Sequence, residues 1–137
     1  MVTLLIPVLH EDDFILRAVK KLAEFIARAL GLASAQKLEE ARQTLHDAAG
    51  SVLGLELKTL ELIDARAAVS LLSDWRRVIV AAQLLHALAQ VELRAGDEAR
   101  AHRYVSQALS LLDELPERPE VASQRDALLA LLSAARR

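Results

Sequence analysis

Residues 93–109 read LRAGDEARAHRYVSQAL, and whether they form a reactive cluster or a folded hairpin decides the fold. Gly96 is free to take the left-handed backbone that closes a helix, and Asp97 is a residue type that accepts hydrogen bonds from the first amides of the next one. Gly96-Asp97 therefore reads as a two-residue turn between helices. Beyond it Ala101, Val105 and Ala108 recur at steps of four and three, which places them on one face toward a partner helix. Glu98 and His102 lie four apart on the other side, where they can pair across one turn, and Tyr104 borders the apolar stripe. The stretch is read as a hairpin.

Upstream of the turn, Ser73 or Asp74 can cap a helix running from Trp75 to about Ala95. Val78, Ile79, Ala82, Leu85, Leu88, Ala89 and Leu93 leave it apolar on nearly all sides, so it belongs in the middle of the fold. Trp75 in its first turn is expected to anchor packing, with a binding role as the alternative. Downstream, the helix after the turn runs to about Leu115, residues 116–119 (PERP) break the chain, and Pro119 can open a last helix at its first position.

Further upstream, DDFILRAVKKLAEFIARALG carries Ile15, Val19, Leu22, Ile26 and Ala29 at helical spacing. Asp12 or Asp13 is available as a cap and Gly31 as a stop. Arg17, Lys20, Lys21, Glu24 and Arg28 form its solvated face. A second helix is expected from about Lys37 to Val52, on Leu38, Ala41, Leu45, Ala48 and Val52, with Gly54 ending it and Gly50 weakening its last turn. Residues 55–72 support one helix or two, and two short ones broken near Asp64 are preferred. Residues 1–11 begin with MVTLLIPVL. They are read as an extended apolar arm, kept out of a helix by Pro7 and packing either on its own domain or on a second subunit. No basic residue precedes this run and no small-residue cleavage site follows it, so export is not expected.

The expected fold class is all-α: a compact bundle of about six helices in a single domain over residues 1–137. Composition agrees, at 53% hydrophobic residues carried mainly by Leu and Ala, with 3% aromatic. A net charge of −2 with interspersed signs gives no basic stripe, so no nucleic acid partner is expected. Charges at helical intervals argue against a membrane span. The absence of cysteine removes disulfides, thiolate catalysis and cysteine metal sites, and favours a cytoplasmic address. His10, His46, His86 and His102 lack the spacing that sets two ligands on one helical face, and Glu98 with His102 is too little for a metal. There is no glycine-rich phosphate loop and no nucleophile elbow. No enzyme, no metal and no cofactor are expected.

The stretch from Ala82 to Asp113 resembles the tetratricopeptide repeat, which pairs two antiparallel helices over 34 residues. Leu85, Leu88 and Ala89 fall on the first helix's large and small positions, Gly96-Asp97 on the turn, and Ala101, Val105 and Ala108 on the second helix's small, bulky and small positions. Leu85 stands where the motif often has an aromatic, and Glu92 where it usually has Tyr. A weaker echo covers about residues 22–54: Phe25 takes the aromatic position, Ala41, Leu45 and Ala48 repeat the small-bulky-small spacing, and Arg28 occupies an apolar site. The resemblance implies one or two such hairpins in a compact domain and not an extended solenoid.

It also implies a function: a non-enzymatic adaptor or scaffold that holds another protein or peptide in a helical groove. The ligand would lie against the first helix of the pair, on the row Gln83, His86, Gln90 and Arg94, spaced three, four and four apart. Arg94 and His86 would meet an acidic or carbonyl-rich segment there, and the glutamines its backbone. The alternative is a structural homo-oligomeric subunit, a homodimer through the N-terminal arm, with no separate ligand. A small-molecule or membrane-surface binder stands behind both.

Overall fold

The computed structural model describes the backbone of residues 2–135 and the side chains of residues 15–134. Within those limits the chain is all-helical, with no strand. The helices are α1 (Val2–Ser34), α2 (Leu38–Ala48), α3 (Leu57–Leu62), α4 (Ala65–Leu72), α5 (Trp75–Ala95), α6 (Glu98–Asp113) and α7 (Pro119–Ala135).

The turn that decided the reading is built by two overlapping devices. Gly96 takes φ +82°, its amide bonds the Leu93 oxygen at 3.2 Å, and the Asp97 amide bonds the Glu92 oxygen at 2.9 Å. Those two bonds close α5 in a Schellman motif. The Asp97 carboxylate then accepts from the Arg100 amide at 3.0 Å and opens α6. Ala101, Val105 and Ala108 are all buried, as the stripe requires, and α5 and α6 pack along each other.

α5 is the centre of the bundle: α1, α2, α4, α6 and α7 all touch it, and eleven of its residues are buried. It is also long and apolar enough to cross a membrane by length and composition. Here most of that apolar surface faces protein, as expected of a helix hydrophobic on nearly all sides at the middle of a bundle. Asp74, of the two candidate caps, holds its first turn by accepting from the Arg76 amide at 2.9 Å. Trp75 is half-buried, with the Arg118 guanidinium stacked 4.2 Å from its ring centroid, which ties the PERP break to the start of α5. Pro119 opens α7 as expected.

The region 55–72 forms two short helices, and Asp64 caps the second by accepting from the Ala67 amide at 2.8 Å. The predicted second helix is α-helical only to Ala48. Its last turn, Ala49–Leu53, widens to a π-helix around Gly50 before Gly54 ends it at φ +71°.

The N-terminal expectation is corrected. The backbone of residues 2–14 is helical and continuous with the rest of α1, so it is not an extended arm, and neither Asp12 nor Asp13 starts the helix. Pro7 removes the donor that would reach the Thr3 oxygen and its ring crowds that carbonyl, a cost of about 3 kcal/mol, yet its fixed φ is near the helical value and the backbone stays helical through it. How the side chains of residues 1–11 pack, in cis or in trans, lies outside the described residues. Gly31 is likewise inside α1. The stop is Gln36 at φ +65°, whose amide bonds the Ala33 oxygen at 3.0 Å while the Lys37 amide bonds the Leu32 oxygen at 2.8 Å. That is the same Schellman closure with glutamine in the left-handed position. On the predicted α1 stripe Leu22 and Ala29 are buried, Ile15 and Ile26 half-buried, and Val19 exposed.

Candidate functional site

The side chains that hold the bundle's parts together determine where a concavity can open. Glu92, on the buried stripe of α5, is wholly enclosed and receives two hydrogen bonds from Arg42 of α2, Nε to Oε2 at 2.8 Å and Nη2 to Oε1 at 2.9 Å. Arg42 also reaches Glu39 at 2.7 Å, and the hydrogen bond to Glu92 is the main cause of its guanidinium holding its proton more tightly than usual. On the other side, the Arg77 guanidinium donates to the Leu72 oxygen at 3.0 Å and to the Leu53 oxygen, placing a cation on the carbonyl ends of α4 and of the π turn. Sequence reasoning missed both arginines. The available signal was Glu92 itself, seven residues after Leu85 and four after Leu88, hence a carboxylate in an apolar stripe that needed a cation.

A cleft of about 650 Å³ lies on the side of α6 that faces α3 and α4. Asp64 caps α4, and the Gln107 amide of α6 donates to the Leu60 oxygen at 2.5 Å, tying α6 to the open carbonyl end of α3. Leu60, Ile63, Ala65, Ala68 and Leu111 form an apolar floor. Arg100, His102, Arg103, Ser106, Gln107 and Ser110 of α6 form a polar wall, with Glu61 opposite. Tyr104 is buried at the base; burial first, and then the Glu61 charge, push its phenol above the usual tyrosine range. A smaller hollow of about 340 Å³ continues the cleft past Ala65 and Ser110, lined also by Asp64, Arg66, Asp113 and Glu114.

The charges along this groove are mixed, with Glu61 facing the α6 arginines and Arg66 among the carboxylates of the smaller hollow. Arg100 and Arg103 are exposed at its α6-start end, and neither guanidinium has an ion pair or hydrogen bond among the described residues. Asp64, Asp113 and Glu114 collect at the other end, where Asp113 sits 4.0 Å from Arg125.

The row read from sequence lies elsewhere. Gln83, His86 and Gln90 are half-buried and Arg94 exposed, all on the least buried stripe of α5, interleaved with the half-buried Ile79 and Leu93. None of the four lines the cleft. Desolvation lowers the His86 pKa below the usual histidine value. No cluster of three or more metal-ligating side chains occurs among the described residues.

The fold and the groove define an all-α helical bundle with a cleft of apolar floor and mixed charged rim. No family model matches the chain, and no curated protein or solved structure matches it.

Proposed function

We propose that this chain is a non-enzymatic protein–protein interaction domain, an adaptor that holds a segment of another protein in the groove between α6 and the α3–α4 pair. One observation carries the reading: an apolar floor rimmed by polar side chains in which two arginines one helical turn apart, Arg100 and Arg103, have no ion pair or hydrogen bond among the described residues. An apolar core with a polar rim is the anatomy of a peptide-docking surface, and the open floor suits a helix or an extended segment laid along α6. The tetratricopeptide-like spacing of α5 and α6 supports the same class of job, although that resemblance favours the α5 row Gln83, His86, Gln90 and Arg94 as the contact face. The cytoplasmic address belongs to this reading as an expectation from cysteine-free composition.

The two faces are separated by a tagged pull-down from the native host with two variants. Arg100→Glu with Arg103→Glu is expected to lose the partner, and alanine at all four α5 positions to keep it. The opposite pattern assigns binding to α5, and retention by both variants refutes the groove and the row together.

A second reading, the homo-oligomeric subunit, is favoured by Leu16 and Val19 of α1, which are 68% and 42% exposed.

A further inference from the structure

The two short helices that face α6 are anchored unequally. α4 packs on both α5 and α6, Asp64 caps its start, and the Arg77 guanidinium covers the Leu72 oxygen at its end. α3 has six residues, lies along no other helix among the described residues, and its N-cap residue Glu56 makes no side-chain cap. Leu57 and Leu60 are buried, while Leu62 is 84% exposed. Besides Glu61, whose charge acts on the Tyr104 phenol, its polar tie to the rest of the fold is the Gln107 amide on the Leu60 oxygen. Left-handed Gly54 precedes α3 and extended Ile63 follows it. Element-terminal positions of this kind absorb hinge motion.

The closed cleft, about 650 Å³, is the size of a small-ligand pocket, whereas a standard protein interface engages about 20–30 residues a side. A protein segment needs more room than the closed form offers. We infer that α3 is a movable wall of the cleft, latched by Gln107: residues 55–63 release from α6, turn about Gly54 and Ile63, and widen the groove for the segment it holds. Six residues do not sustain a helix away from its site, so release and unwinding are one step. Opening uncovers the sites of Leu57 and Leu60 and exposes Tyr104 at the cleft base, and apolar side chains of the incoming segment take the places the two leucines leave. The inference rests on the groove being a binding site for a protein segment and adds how that segment is admitted: the stability of α3 sets the fraction of open chains and with it the apparent affinity.

The chain has no cysteine, so a single introduced thiol reports its own exposure. Leu57→Cys and Leu60→Cys in α3 are compared with Ala68→Cys in α4 and Ala108→Cys in α6, all at positions no more than 1% exposed, by the rate at which the purified full chain reacts with an aromatic disulfide reagent. The α3 thiols are expected to react about tenfold faster or more, with a weaker dependence on urea than the controls, since a local opening uncovers less surface than unfolding does. Gln107→Ala should speed α3 labelling about fivefold, the worth of one hydrogen bond. Glu56→Asp, which supplies the missing cap, should slow it by a similar factor. The same rate and the same urea dependence for all four thiols overturn the inference, because α3 then opens only when the whole fold does. Labelling of α3 that neither Gln107→Ala nor Glu56→Asp changes also overturns it. Should a leucine variant not fold, hydrogen exchange of the unmodified chain and of Gln107→Ala replaces it, with the amides of Leu60, Glu61 and Leu62 expected to exchange ahead of those in α4 and to be speeded by the substitution. None of these measurements needs a partner, so they stand or fall separately from the pull-down that tests the groove.

Discussion

The Arg42 guanidinium grips the Glu92 carboxylate through two hydrogen bonds across fifty positions of sequence, joining α2 to the central helix α5. Glu92 is fully enclosed and Arg42 keeps part of its side chain in water, so the pair links the buried stripe of α5 to the surface of α2. Two charges taken from water gain little net stability together, but one of them left alone is costly.

Arg42→Ala is therefore expected to destabilise the fold by about 3–5 kcal/mol, because Glu92 is stranded without a partner. Arg42→Met combined with Glu92→Leu should recover most of that loss. Chemical denaturation of Arg42→Ala and of the double variant checks it; a double variant no better than Arg42→Ala would mean that the pair is not the reason for the loss.

Enlarging the small residues at the α5–α6 crossing tests the hairpin. Ala101→Leu and Ala108→Leu insert a branched side chain where exposure is 1% and 0%, and each should cost about 1–3 kcal/mol. Arg100→Leu, at an exposed position, should leave the melting temperature close to the parent's. Equal melting temperatures for all three would contradict close packing of α6 on α5.

Tyr104 is the chain's single tyrosine, so its ionisation can be followed directly by ultraviolet absorbance. The phenol should titrate above the ordinary value of 10 while the protein is folded, because burial and then the Glu61 charge disfavour phenolate. The raised folded value means that stability is full below pH 10 and falls as pH rises through that value, where the unfolded chain ionises first. Glu61→Gln should bring the titration part of the way back; no change would place the Glu61 carboxylate out of reach of the hydroxyl.

His86 has the opposite sign. Desolvation lowers its pKa in the folded state, so the unfolded chain takes up a proton first as pH falls below about 6.5. This residue's contribution is full near neutrality and is lost on acidification from that point down through the lower folded value. His86→Gln should flatten the dependence of melting temperature on pH between about 7 and 5. An unchanged slope would show that the imidazole is not desolvated.

Much of the helical framework was legible because the local signals were strong. Gly96-Asp97, Asp64 and Pro119 act through their own backbone or side chain within a few residues, and each does so in the structure. What escaped depends on contacts far apart in sequence. The Schellman closure at Gln36 needs a non-glycine residue in the left-handed region, and nothing in the types of neighbouring residues announces it. Val19 sits on the apolar period of α1 but faces outward, since periodicity gives a face and not what covers it. Pro7 was read as a helix breaker, but the backbone is helical on both sides of it despite the lost bond and the crowded Thr3 carbonyl. The groove was only half readable: His102 was read on the outer side of α6 and Tyr104 at the border of its apolar stripe, but Arg103 was given no role and the opposing wall comes from residues 60–68, whose approach to α6 is a tertiary fact. The α5 row was drawn from the face pointing away from α6, and the cleft opens on the other side of α6.

The most direct measurement of the central claim is site-specific photo-crosslinking in the native host, with a benzophenone amino acid placed in turn at Ser106 in the groove, at Gln83 on the α5 row, and at the exposed Glu39 as a control. The account predicts that Ser106 captures a distinct partner protein, that Glu39 does not, and that Arg100→Glu with Arg103→Glu abolishes the Ser106 product. Capture from Gln83 alone, or a Ser106 product that consists only of this chain, would contradict the adaptor reading of the groove.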